Sequence, residues 1–171
     1  MGIKVEWNRP WKDGVFAPNE FQDSMEDAQD LLKTLQVTGS RRVVTWSVYF
    51  IHEAEPLPKA RPRLSSGRIY TPKRTAGAEE SLAWSWREAT KHLEKLDGTL
   101  ALVALFYRSN QRRVDGDNLL KLVMDSGTKA GVWYDDSQVT ACASVMHLDT
   151  ERPRTVIGLG PLGSSMIRHF A

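Results

Sequence analysis

Two aspartates two residues apart, Asp115 and Asp117 in VDGDNLLK, constrain the fold of this chain more than any other feature. On a strand, residues i and i+2 project from one face, so the two carboxylates stand side by side and repel each other. A fold that keeps both has to bring something cationic between them. A third acid, Asp136, is the second of the pair in GVWYDDSQ; a helix plus a return turn is about the connection needed to bring its strand start back beside the first strand. If Asp117 stands at the strand end and caps the next helix, Leu119 and Leu122 anchor that helix in the core. Lys121 then lies one turn beyond Asp117, and acid, base and phosphate can meet at one strand-to-helix junction. Asp125 follows one turn later, either orienting Lys121 as an i,i+4 partner or forming a plain surface salt bridge.

Around that motif the chain divides at about Gly39-Ser40. Residues 1–40 form an acidic extension: the first thirty residues hold seven acids against three bases. Within it, QDSMEDAQDLLKTLQ puts Met25, Ala28, Leu32 and Leu35 on one helical face. Downstream, VVTWSVYFI reads as a strand and EPLPKARPRLSSGRIYTP as an extended or looped segment. Residues 75–96 read as a helix ended by Asp97-Gly98, with Leu82, Trp86, Ala89, Leu93 and Leu96 at helical spacing. Trp86 belongs to its core face and Trp84 looks outward. A strand at TLALVALFY, a polar loop RSNQRR, a helix over NLLKLVMDSGTKA, a turn at Gly131, and strands at QVTACASVMHL and TVIGLG complete a sheet. GLGPLG at 158–163 has the form G-x-G-x-x-G, but eight residues follow it. That leaves no room for the helix, second strand and acid of a dinucleotide site, so it reads as a flexible C-terminal turn.

The net charge of +2 is too small to announce nucleic acid, but residues 56–78 hold Lys59, Arg61, Arg63, Arg68, Lys73 and Arg74 with no acid. Cys142 is the lone cysteine; it excludes an internal disulfide framework, fits a reducing compartment, and lies in a strand as a small structural residue. No apolar run reaches the roughly 18 residues that span a bilayer, and MGIKVEWNRPWKDG has no apolar signal core. The expectation is a cytoplasmic protein with no membrane partner.

Carboxylate oxygens are the hard ligands that Mg²⁺ prefers, with water and substrate phosphate completing the octahedron. The four histidines, His52, His92, His147 and His169, show no short ligand spacing. The expected metal is therefore Mg²⁺, with Mn²⁺ as a substitute.

These residues resemble a family, the RusA-type Holliday junction resolvases and their phage-encoded relatives. The matching pieces are KARPR at 59–63, YTP at 70–72 with Thr75 beyond, DGDNLLK at 115–121, Asp125 in the same helix, and GVWYDDSQV at 131–139. Order and spacing agree from about residue 43 to 150. The resemblance implies an α+β endonuclease, a small mixed sheet with two principal helices in a core spanning 41–160, followed by a tail at 161–171 and preceded by the helical extension. It implies a homodimer that cuts branched DNA with Mg²⁺. Carried over by position, Asp115, Asp117 and Asp136 are the metal-binding catalytic carboxylates, Asp135 an accessory acid, and Lys121 the cation near the scissile phosphate. Family members often carry a basic residue just before the first aspartate, where this chain has Val114. Arg112 or Arg113 supplies that charge from the loop, and strand alternation points Arg113 to the aspartate face.

A lone D-x-D is commonly a solvated turn or a cap; joined to Lys121 and Asp136 it reads as a site. KARPR alone is a solvated basic loop, whereas beside a phosphate-cutting site Lys59, Arg61 and Arg63 read as contacts to the DNA backbone, with Arg68, Lys73, Arg74, Arg112 and Arg113. Tyr70 either stacks on an unpaired base or fixes the approach to the helix. The reading is a Mg²⁺-dependent, structure-selective endodeoxyribonuclease that resolves four-way junctions by paired nicks. The alternatives are a noncatalytic branched-DNA-binding protein and a nuclease preferring flaps or forks.

Overall fold

The computed structural model describes residues 42–44, 47–61, 63–65 and 67–164. In chain order the elements are β1 (Arg42–Val44), β2 (Val48–His52), β3 (Arg63–Ser65), β4 (Arg68–Tyr70), α1 (Lys73–Thr90), β5 (Leu100–Arg108), α2 (Gly116–Ala130), a 3-10 turn (Asp136–Gln138), β6 (Val139–Leu148) and β7 (Arg154–Ser164). The amphipathic helix expected in the acidic extension lies outside the described residues.

β5 is apolar along nearly its whole length, and Leu100 to Tyr107 are all buried. Such a strand belongs in the middle of a sheet with cover on both faces. It pairs antiparallel with β7 on one edge and parallel with β6 on the other, and β7 pairs antiparallel with β2 and β1 on its far edge. The result is a mixed five-stranded sheet, with β3 and β4 as a separate hairpin. Alternation along β5 divides the core. Leu100, Leu102, Ala104 and Phe106 join Trp86 of α1 and Leu119 and Val123 of α2, while Val103, Leu105 and Tyr107 join Val156 on the opposite face. This is the α+β class, with two principal helices on a mixed sheet.

The helices lock together around two tryptophans. Trp86 Nε1 donates to the Val123 carbonyl at 3.2 Å, and its ring stands edge-on to Trp133 at 5.3 Å. Trp133 presses so closely on α2 that a Cβ at Gly127 would lie 2.1 Å from its ring. α2 ends in a Schellman motif: Gly131 has φ of 81°, its N–H reaches the Thr128 carbonyl, and Val132 N–H reaches that of Gly127.

Two expectations are corrected. α1 stops at Thr90 rather than running to 96, and Leu93 is exposed. Leu96 leaves the helical pattern because its N–H pairs with the Val132 carbonyl and it bridges Trp133. The supposed C-terminal turn at 158–163 is instead inside β7. Pro161 is tolerated there because it faces Leu100 of β5 and falls in the gap on the other edge between β2, whose register ends at Leu159, and β1, whose register starts at Leu162.

Candidate active site

The start of α2 gathers the acidic motif. Asp115 is its N-cap, extended at φ −83° and ψ 121°, and its carbonyl accepts from Asn118 and Leu119. The helix thus begins two residues earlier than an Asp117 cap requires, with Asp117 already in its first turn. Residues 111–115 carry no strand, so the same-face strand geometry applies neither to the two aspartates nor to Arg113. Both carboxylates are exposed. Asp115 makes no side-chain capping bond, Asn118 Nδ2 approaches it at 3.4 Å, and Asp117 accepts the Asn118 N–H at 2.9 Å. The partial positive charge of a helix N-terminus favours carboxylates here.

Lys121 stands one turn on, 56% exposed, 3.5 Å from Asp125. The second oxygen of Asp125 is held by Lys59 at 3.0 Å, and Lys59 also bonds Glu79 of α1. Glu79 in turn pairs with Lys129 at 3.6 Å, and Lys129 with Glu80 at 2.8 Å. Burial opposes the charge on Lys59, but its bonds to Glu79 and Asp125 prevail and hold its pKa above the ordinary lysine value. Its backbone N–H donates to the Asn118 carbonyl at 2.8 Å. The basic segment is thereby fastened to the first turn of α2 at its leading residue. Glu79 was not singled out in the sequence, though it sits three residues before Leu82 and seven before Trp86 on the apolar stripe of α1, where a charge needs a partner.

Arg61, Lys73, Arg74, Arg112 and Arg113 are exposed, as is Tyr70. Lys73 and Arg74 open α1, whose first turn has no acid. Arg63 and Arg68 lie on the β3–β4 hairpin. The loop that carries Arg112 is shaped through its backbone, with Arg108 bonding the Arg112 carbonyl and Asn110 accepting its N–H.

Asp136 lies elsewhere. It opens the 3-10 turn capped by Asp135, whose carboxylate accepts the Ser137 N–H at 2.9 Å and is held below the usual aspartate pKa by hydrogen bonding from Ser137. Gln138 fastens that turn to the carbonyls of Leu96 and Gly98, just before β5 begins. Asp115 and Asp117 instead follow the end of β5. Since β5 and β6 run parallel, the two acidic points are separated by the stretch of β6 from Val139 to Met146, roughly 23 Å at strand rise. Met146, near the far end of β6, is the residue that meets the start of α2, its Cε 3.7 Å from a Cβ placed at Gly116. The expected return of Asp136 beside Asp115 and Asp117 within one chain is therefore corrected. Among the described residues no three His, Cys, Asp or Glu stand together as a metal-binding group. The donors themselves suit a hard divalent ion: exposed carboxylate oxygens, with Asp115 left out of capping. Asp115 and Asp117 could supply carboxylate oxygens to such a ligand set, which two residues do not complete.

A mixed sheet bearing an acidic helix start beside a basic arm is an arrangement fit for cutting a polyanion. The sequence model of the family Endodeoxyribonuclease RusA matches residues 53–159, and the chain belongs to that family of endodeoxyribonucleases. It is 27% identical over 111 residues to the crossover junction endodeoxyribonuclease RusA of Aquifex aeolicus (strain VF5), covering 64% of this chain and 87% of that protein. Nucleases of this family generally depend on a divalent metal ion. No described helix is long and apolar enough to cross a membrane.

Proposed function

We propose that this chain is a Mg²⁺-dependent, structure-selective endodeoxyribonuclease that resolves four-way DNA junctions as a homodimer, by paired nicks. The observation that carries the reading is the start of α2, where two exposed carboxylates, Lys121 one turn on, and the Lys59 end of the basic segment converge. The named junction activity of the Aquifex aeolicus relative supports the substrate.

Asp115 and Asp117 would hold the ion from one protomer; Asp136 would complete the set from the other, with Asp135 shaping its turn. Such an ion lowers the pKa of a bound water and neutralises charge on the phosphate. Lys121 places a point charge beside the reacting phosphate and stabilises the transition state more than the ground state. Arg61, Arg63, Arg68, Lys73, Arg74, Arg112 and Arg113 bind the backbone without reading its sequence, and Tyr70 stacks on an unpaired base at the branch.

The placement of the acids supports the homodimer. Among the described residues β6 is an edge strand, ten residues long with no Asp, Glu, Lys or Arg, and Cys142, Met146 and Leu148 are exposed along one face. An uncharged edge of that length invites another strand. A second copy of β6, antiparallel about a twofold axis, brings the Asp136 end of the partner beside the Met146 end of the first. Two equivalent sites then face two equivalent strands of a junction.

The test is cleavage of matched four-way junctions, flaps, forks and linear duplexes with and without Mg²⁺. Paired nicks on the junction, lost in chelator, are expected. Binding without cleavage in Mg²⁺ or Mn²⁺ would leave the noncatalytic alternative, and faster flap or fork cutting would reassign the substrate.

A further inference from the structure

We infer that Lys59 is a positioning residue for Lys121: by sharing Asp125 it weakens that carboxylate's hold on Lys121, and so lets the Lys121 ammonium turn toward the phosphate. The inference rests on the proposed role of Lys121 and changes the role of Lys59 from a DNA contact to an internal counter-ion.

The two lysines share one carboxylate unequally. Lys59 reaches Asp125 Oδ2 at 3.0 Å, whereas Lys121 reaches Oδ1 at 3.5 Å. Lys59 is 22% exposed and Lys121 56%. The side chain of Lys59 is also gripped by Glu79, and its backbone is fixed to Asn118, so its position costs no further ordering. Lys121 has Asp125 as its one ion-pair partner among the described residues, at the longer distance, so it is the more easily released of the two. A phosphate contact requires an ammonium that turns toward solvent, and Lys59 has two carboxylates to leave first.

Removing the Lys59 charge changes the competition. Glu79 keeps Lys129, but Asp125 keeps Lys121 as its one partner among the described residues, four residues earlier on the same helix and within i,i+4 reach. With less competition for its charge, Asp125 draws Lys121 toward itself and away from the start of α2. Neutralising Asp125 as well removes the competitor and releases Lys121.

The experiment is single-turnover junction cleavage by the full chain at saturating enzyme, with junction affinity measured against salt in parallel. Lys59→Gln is expected to slow cleavage by about tenfold, as a misplaced catalytic group does, with the salt dependence of binding unchanged. Asp125→Asn added to Lys59→Gln should recover most of that loss, and Lys59→Arg, which retains a cation between Glu79 and Asp125, should cut close to wild type. In a Lys121→Ala background, Lys59→Gln should slow cleavage no further. A salt slope reduced by about one would make Lys59 a phosphate contact and overturn the inference; so would losses that multiply with Lys121→Ala, or no recovery with Asp125→Asn. Wild-type cleavage by Lys121→Ala would instead refute the role of Lys121 itself, and this inference with it. If Lys59→Gln does not fold, lysine side-chain NMR of the wild-type chain decides. Adding junction without divalent ion should shift Lys121 and leave Lys59 in place, and a shifted Lys59 overturns the inference.

Discussion

At the scale of single residues, the start of α2 separates groups that act from groups that hold. Asp117 is exposed and, among the described residues, accepts the neighbouring Asn118 N–H, so Asp117→Asn removes the charge of a proposed ligand with little change in packing. Cleavage should fall by at least about two orders of magnitude, while junction binding is retained or tightens. Undiminished Mg²⁺-dependent turnover of the purified variant would refute the assignment. Arg61 is exposed on the segment that Lys59 fastens. Arg61→Ala with Arg63→Ala should weaken binding to every branched substrate and lower the salt slope by about one per lost phosphate contact; an unchanged slope would place both outside the interface. The acids and Lys121 were legible as candidates because residue type and spacing suggest chemistry by themselves. The fixing of Lys59 was not, since a lysine in a basic run looks the same whether it faces a phosphate or two carboxylates from distant helices.

Among the elements, α2 links the site to the core. Its first turn carries Asp117, its buried face carries Leu119, Leu122 and Val123, and its last turns receive Trp133 against Gly127. Gly127→Ala places a methyl group inside the indole ring and should destabilise the fold by about 1–3 kcal/mol. The denaturation midpoint against urea reads this directly, and a wild-type midpoint would mean that the α2–Trp133 contact is looser than described. The helices α1 and α2 and the strand β5 were readable from side-chain pattern. The end of α1 was not, because Leu96 is withdrawn by a backbone pairing with Val132, a partner thirty-six residues away in sequence.

For the whole molecule, the separation of Asp136 from Asp115 and Asp117 gives a direct test of the proposed homodimer. Asp117→Asn and Asp136→Asn should each be inactive alone. If each site draws Asp117 from one protomer and Asp136 from the other, mixing the two variants forms heterodimers with one fully wild-type site. Nicking of one junction strand should then return, without paired cuts. Should every site be built within one chain, each protomer in the mixture carries a defect and no cleavage returns. The readout is the yield of nicked junction after the two variants are unfolded and refolded together.

The sequence by itself determined the family, through several separated motifs, and with the family the α+β class; it also determined the strand at TLALVALFY and the residue types that could do phosphodiester chemistry, because these depend on local pattern and side-chain identity. Tertiary structure decided which of those residues meet. A strand–helix–strand crossover between parallel strands returns the chain to the end where the first strand began; Asp136 therefore starts β6 at the opposite end of the sheet from Asp115, although only twenty-one residues separate them. The same holds for GLGPLG, whose glycines and proline carry a turn signal in sequence and yet continue a strand, since β5 on one edge and β2 and β1 on the other supply pairing that local propensity does not contain.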